Sequence, residues 1–387
     1  MTAKHNRAKR RLPVTVLTGF LGSGKTTLLN YLMQQPALGR TLVIINEFGE
    51  IGLDHDLVTQ SAEETDDIVV EMSSGCLCCT IRGDLVRTLR EAPGRFARGG
   101  ELWFDRVVIE TTGLADPAPI LQTLMNDAAI AQRYRLDAVM TAVDAVNGAA
   151  TLDRQIESVK QVAVADRLLI TKTDLADVEA LHNLRERLRS LNPTAEQIIA
   201  RHGRVDPTLI IDADLYDPST KTDDVQEWLR AELVEASHHH HHHDHGDDHD
   251  HDHDHDHGDV NRHDKHIRAV CFTINEPIPG EALDRWLGSL LGLRGEDFLR
   301  IKGIINVAQL DRPMVIHGVQ HVMHPPVLLD EWPSEDHRSR IVFITRDIDE
   351  TMLRETLEVI TRAESLQPDK SSMRHAGSSI VSRHIDP

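Results

Sequence analysis

The run Gly19-Phe-Leu-Gly22-Ser23-Gly24-Lys25-Thr26 fits G-x-x-x-x-G-K-[ST] at every fixed position. A loop of this composition holds phosphate. Its glycines let the backbone curl until successive N–H groups point inward. A helix starting directly behind it adds the positive end of its dipole. Lys25 reaches the β- and γ-phosphates, and Thr26 offers a hydroxyl to Mg²⁺. A β-rich run at 14–18 precedes the motif and a helical pattern at 27–33 follows it, so it stands in the context its chemistry requires. The phosphate-binding set is therefore Gly19, Gly22, Ser23, Gly24, Lys25, Thr26 and Thr27.

Two further segments end apolar runs. Glu110-Thr111-Thr112-Gly113 supplies an acid that stabilises Mg²⁺ or its waters and a glycine amide able to sense the γ-phosphate. Lys25, Thr26 and Glu110 are thus assigned to hydrolysis. Thr171-Lys172-Thr173-Asp174 is similar to the Asn-Lys-x-Asp guanine motif, with Thr at the first position. A carboxylate at Asp174 accepts two hydrogen bonds, from the guanine ring N–H and the exocyclic amine; adenine offers neither donor there. The Lys172 stem lies over the base plane, and losing a buried match of this kind is costly.

The third chemistry is thiol chemistry. Three of the four cysteines fall in Gly75-Cys76-Leu77-Cys78-Cys79. Clustered thiols point to metal or redox chemistry rather than a disulfide framework, and thiolates favour Zn²⁺ or Cu(I). In an extended segment Cys76 and Cys78 share one face and Cys79 points away, whereas a loop entering a helix brings all three together. Tetrahedral zinc then takes a fourth donor or keeps an open position. Glu50, Asp54 and His55 are the candidates, with Glu50 placed first. The bland alternative is that Cys76 or Cys79 is merely a buried thiol.

These motifs need a scaffold. Apolar runs at 14–18, 41–45, 107–110, 136–143, 167–171 and 209–211 alternate with segments of helical spacing, such as Leu85/Leu89, Ile120/Leu124 and Leu181/Leu184/Leu188. The pattern predicts an α/β fold with a mostly parallel sheet covered by helices over 13–212. A second, smaller α+β domain is expected over 266–362, with strands near 266–275, 298–307, 313–321 and 341–345 and helices near 280–291 and 349–362. Residues 1–12 form a basic tail and 363–387 a loose one. Between the domains, 213–265 reads as a linker. Twelve of the 24 histidines lie between His238 and His257, alternating with aspartates and with no apolar residue, so 238–257 is expected to be disordered. Neutral imidazoles there could also bind metal loosely. The other histidines, His182, His317, His321 and His324, read as ordinary surface or core residues.

The chain has 387 residues, suiting two domains, with 40% hydrophobic and 27% charged residues. A formal net charge of −20 argues against non-specific nucleic-acid or anionic-membrane binding. No apolar stretch approaches the roughly 18 residues of a membrane helix, and the N-terminus lacks a signal-peptide core, so a cytoplasmic location is expected.

Taken together, Thr18 to Thr27, Asn46-Glu-Phe-Gly49, the Gly75-Cys-Leu-Cys-Cys79 run, Glu110 to Gly113 and Thr171 to Asp174 resemble a CobW-type GTPase of the zinc-metallochaperone family. Leu299-Arg-Ile-Lys-Gly303 and Gly318-Val-Gln320 look like that family's C-terminal domain. The resemblance implies slow GTP hydrolysis, with Mg²⁺, coupled to delivery of zinc to a client metalloprotein. The implied partners are GTP and that client, with a homodimer as an option. The Cys-Pro-Glu-Leu-Val-type docking motif of some relatives is absent from the N-terminus, which counts against a methionine-aminopeptidase client. Two alternatives within the family are insertion of cobalt, nickel or iron into a cobalamin- or nitrile-hydratase-type client, and a His-rich metal store. A small-molecule kinase on the same phosphate loop is disfavoured by Asp174 and the thiols.

Overall fold

The computed structural model describes residues 11–47, 68–73, 78–210 and 266–365. The chain opens with β1 (Leu12–Gly19), α1 (Lys25–Met33), β2 (Thr41–Glu47), β3 (Ile68–Ser73) and α2 (Cys78–Arg95). A small hairpin, β4 (Ala97–Arg98) and β5 (Glu101–Leu102), leads to β6 (Arg106–Thr111), α3 (Ala118–Asn126), α4 (Ala128–Ala131) and β7 (Tyr134–Asp144). Then come α5 (Gly148–Arg154), α6 (Ile156–Val164), β8 (Arg167–Thr171), α7 (Val178–Leu191) and β9 (Glu196–Ala200).

Seven of these strands form one parallel sheet in the order β3-β2-β6-β1-β7-β8-β9. Strand period explains why helices cover both faces. Val14, Val16, Leu42, Ile44, Val107 and Ile109 point to one face and pack on Leu85 and Leu89 of α2 and on Ile120, Leu121 and Leu124 of α3. Their neighbours Leu17, Val43, Ile45 and Val108 point to the other face, against Leu28, Leu29 and Leu32 of α1. Each fully buried aliphatic side chain contributes about 2 kcal/mol. The α/β class read from the sequence is the class observed.

Two details differ from the sequence reading. Leu209 and Ile210 do not make a strand, and Ile211 lies outside the described residues. Pro207–Leu209 is a 3₁₀ turn, started by the Asp206 carboxylate accepting from Thr208 N at 2.9 Å. The outer strand is Glu196–Ala200 instead; Ile198 and Ala200 are buried while Ile199 faces out, the one-sided pattern an edge strand tolerates. The sequence reading also lacks β3, whose apolar run Ile68-Val-Val is cut short by Glu71.

The second unit comprises β10 (Ile267–Ile274), α8 (Gly280–Arg294), β11 (Phe298–Ile305), β12 (Met314–Val319), β13 (Val322–Met323), β14 (Val327–Leu328), β15 (Ser339–Arg346) and α9 (Glu350–Ser365). Its sheet is antiparallel, in the order β10-β15-β11-β12-β13, with β14 on β12. One face packs on α8 and α9. At its centre the Phe343 ring meets Phe272, Trp286 and Phe298 edge-to-face, with centroids 5.8, 5.7 and 5.6 Å away.

The two units share a core. Ile267, Leu299 and Ile344 pack with Val159, Val162, Leu168 and Leu188. Within this contact Asp166, the residue before β8, is fully buried and pairs with Arg300 and with Lys302, the latter at 3.0 Å. Its other oxygen accepts from Val139 N at 2.9 Å. Burial pushes the Asp166 carboxyl up, but the Arg300 and Lys302 charges and the Val139 bond outweigh it and hold its pKa well below the carboxylate range. Because the folded value lies below that of an unfolded aspartate, the pair's stabilisation is present above about pH 4 and is lost as pH falls through the folded value. Arg300→Met should destabilise the chain by about 3 kcal/mol at pH 7, since it strips a partner from a buried charge. Denaturant unfolding at pH 7 reads this directly; an unchanged midpoint and slope would show the pair to be inert.

Candidate functional site

In a parallel sheet all strands end on the same side, and ligands gather there. The phosphate loop leaves β1 at Gly19, whose φ is 142°. A Cβ there would lie 2.4 Å from the Ala142 carbonyl of β7, so no larger residue fits. The loop closes through Ser23 N donating to Phe20 O at 3.1 Å, and Gly24, left-handed at φ 91°, caps α1. Lys25 Nζ folds back over the loop, donating to Gly19 O at 2.9 Å and Phe20 O at 3.3 Å. Gly22 and Ser23 complete the curve, and Thr27 faces out from the first turn of α1.

The neighbouring β6 brings the second piece. Thr26 Oγ1 donates to Glu110 Oε1 at 3.2 Å, and Thr111 Oγ1 to Thr18 Oγ1 at 2.7 Å. A hydroxyl and a carboxylate side by side at a phosphate loop are oxygen donors of the kind Mg²⁺ takes. Gly113 then crosses the loop so closely that a Cβ on it would lie 2.5 Å from Leu21 N.

On the other side, Thr171 Oγ1 at the end of β8 donates to Ser23 O at 2.7 Å and lies 3.2 Å from Val143 O. Lys172, left-handed at φ 55°, donates to Gly22 O at 2.7 Å and to Asp144 Oδ2 at 2.7 Å. Asp174 stands beyond it, part-exposed, with His202 Nδ1 3.4 Å away. The structure thus brings Lys25, Thr26, Glu110, Gly113, Thr171 and Lys172 together around one loop.

Three residues at this site are missing from the sequence reading. Asp144 ends β7 and is buried; it accepts from Val146 N, Asn147 N, Asn147 Nδ2 and Lys172. Burial raises its carboxyl, but the bonds from Lys172, Asn147 and the two amides prevail and keep its pKa below the ordinary value. An acid closing a long apolar run was the available signal, the same one that marks Glu110. Gln161 on α6 donates from Nε2 to Gly113 O at 3.1 Å and Ala115 O at 3.0 Å. It sits among Val159, Val162 and Val164, where a helix pattern reads as core. His202 follows β9 in a tight turn, and only the spatial neighbour Asp174 makes it notable.

Cys78 and Cys79 open α2, directly after β3 and so on the same side of the sheet as the phosphate loop. Strand β3 pairs with β2 and β2 with β6, which sets the end of β3 roughly 10 Å from that of β6 at the usual strand spacing. Cys76 and Glu50 lie outside the described residues, as do Asp54, His55 and the His/Asp run at 238–257. Among the described residues no three His, Cys, Asp or Glu side chains gather as a metal site, and no helix is long and apolar enough to cross a membrane.

A phosphate loop on a parallel sheet, a strand-end acid against its threonine and a lysine-bearing loop closing on it from β8 define a P-loop nucleotide-binding protein of the GTPase class. The chain belongs to the family whose model is described as CobW/HypB/UreG, nucleotide-binding domain, matched over residues 13–199; the Cobalamin synthesis protein cobW C-terminal domain matches 267–361. Zinc chaperone YjiA of Escherichia coli is 30% identical over 344 residues, 89% of this chain and 96% of that one. Zinc-regulated GTPase metalloprotein activator 1 of Schizosaccharomyces pombe is 36% identical over 216 residues, 55% of this chain and 51% of its own. Among solved structures, Zn(II)-bound YjiA GTPase from E. coli matches with a TM-score of 0.62 at 26% identity, covering 91% of this chain and 99% of that one.

Proposed function

We propose that this protein is a GTP-hydrolysing metallochaperone that carries zinc on Cys76, Cys78 and Cys79 and passes it to a client metalloprotein. The observation that carries the reading is topological. The loop bearing Lys25, the Thr26–Glu110 pair and the start of α2 with Cys78 and Cys79 all lie on one side of one parallel sheet. The relatives' names support zinc as the cargo.

In this reading the loop amides and the Lys25 ammonium bind the β- and γ-phosphates. Thr26 and Glu110 hold Mg²⁺, which neutralises charge developing on the phosphate oxygens when bound. The Gly113 amide faces the γ-phosphate, and Asp174 selects guanine while Lys172 covers the base. The thiols bind zinc as thiolates, with Glu50 as the first choice for a fourth donor. Binding releases their protons, so zinc affinity rises with pH.

The chemistry of delivery is coupling. The segments 46–50 and 110–113 flank the Cys-x-Cys-Cys run in sequence, so a γ-phosphate that orders them alters the metal site. A coupling of about 1–3 kcal/mol changes zinc affinity about 5- to 150-fold between nucleotide states, with an equal factor on nucleotide affinity. Competition titrations of zinc in the nucleotide-free, GDP and non-hydrolysable GTP states should separate at least two of the three by about fivefold or more. Cys78→Ser should remove the tight site in all of them. Identical affinities in the three states would leave a GTPase with an uncoupled metal site. Repeating the titration with cobalt(II) and nickel(II) tests the choice of cargo.

A further inference from the structure

We propose that Gln161 is a positioning residue for triphosphate recognition: it sets the turn at residues 113–116 so that the Gly113 amide distinguishes GTP from GDP. The inference rests on the reading of that turn as the γ-phosphate-facing segment.

Gln161 is fully buried in the middle of an apolar helix face. An amide in such a place is costly unless bonded. Both of its N–H groups are used, one on Gly113 O at 3.1 Å and one on Ala115 O at 3.0 Å. Carbonyls only accept, so chemistry dictates which end of the amide faces the turn. The other end, Oε1, is buried with no hydrogen-bond partner among the described residues. A methionine of similar shape would avoid that cost. What the amide gains in return is a hold on the Gly113 and Ala115 carbonyls, which a methionine would leave without this donor.

The rest of the turn is tied to the same helix and to the phosphate loop. Lys160, the preceding residue of α6, pairs with Asp116 at 2.9 Å, and Asp116 in turn accepts from Ala118 N at 2.9 Å. Ala115 N closes the turn on Thr112 O at 3.1 Å. Gly113 is pressed against Leu21 of the phosphate loop. Its N–H shares a planar peptide with Thr112 O, which Ala115 N holds, and Gln161 fixes the carbonyls of Gly113 and Ala115, so the turn that aims this N–H is set from both ends. The helix itself is pinned: Thr141 Oγ1 of β7 donates to Gln161 O at 2.8 Å, and α6 packs on β11 of the second unit. The anchor of the turn is thus common to both units.

The test is calorimetric binding of GDP and of a non-hydrolysable GTP analogue, with Mg²⁺, to the full chain carrying Gln161→Met or Gln161→Glu. The methionine keeps the volume and drops the donors; the glutamate keeps the shape and sets acceptors against two carbonyls. Analogue affinity and GTP turnover should each fall about tenfold in the methionine variant, as expected for two lost hydrogen bonds to one turn. The glutamate variant should lose as much or more. GDP affinity should stay within about twofold in both. An unchanged analogue-to-GDP ratio overturns the proposal. So does an equal loss of both nucleotides with a lowered Tm, which marks a merely structural residue. If the unsubstituted protein binds neither nucleotide, the nucleotide reading itself falls and takes the proposal with it.

Discussion

Lys25→Ala should cut GTP turnover at saturating nucleotide by about 10²- to 10³-fold, the cost of removing a charge aimed at a developing phosphate anion. The structure explains why the effect is specific. The Lys25 side chain is mostly buried, and its ammonium lies over the loop on Gly19 O and Phe20 O rather than in the core. Alanine is the best helix former, so the first turn of α1 survives the change. The loop amides and the α1 N-terminus remain, which leaves weakened GDP binding as a control for folding. Phosphate release and GDP titration on the same preparation measure both. Turnover within about threefold of the unsubstituted protein would remove Lys25 from the chemistry and with it the assignment of the loop.

The second large effect is on base choice. Asp174→Asn should lower GTP affinity about 100-fold and create binding of XTP, while ATP stays poor. Guanine presents two donors to the carboxylate. Asparagine keeps one acceptor and turns the other into a donor, which opposes the guanine amine but suits the carbonyl xanthine carries in its place. A site built to match hydrogen bonds discriminates strongly, because the wrong base leaves buried groups unpaired. The Asp174 side chain is part-exposed, with the exposed His202 beside it, so the change should leave stability within about 0.5 kcal/mol. Lys172 is held independently by Gly22 O and Asp144, so its side chain should keep its place in the variant. Competition binding of GTP, XTP and ATP decides the matter. An unaltered GTP preference in Asp174→Asn would move guanine recognition elsewhere, and equal GTP and ATP binding by the unsubstituted protein would end the guanine reading.

What could be read from the sequence was local. The phosphate loop is eight adjacent residues whose conformation follows from their own glycines and from the helix behind them. Strands β1, β2, β6, β7 and β8 announced themselves because burial on both faces demands an unbroken apolar run. Strand β9 did not, because an edge strand buries only one face and Ile198 and Ala200 alone are a faint signal. The apolar pair Leu209-Ile210 was misleading, since Asp206 and Pro207 favour a turn there. The Cys-x-Cys-Cys spacing indicated soft-metal chemistry from residue type alone.

The sequence by itself therefore determined the class of fold, the phosphate loop and the kinds of chemistry available. Tertiary structure decided the partnerships. Thr26 meets Glu110 across 84 positions, Lys172 reaches Asp144 across 28, Gln161 holds Gly113 across 48, and Asp166 joins Arg300 across 134. None of these pairs has a local signature, because what makes them neighbours is the strand order β2-β6-β1-β7-β8 and the seating of β11 on α6. Strand order emerges from burying all the apolar faces at once, a property of the whole chain. A buried amide such as Gln161 is legible only afterwards, when the carbonyls that justify its burial have been brought to it.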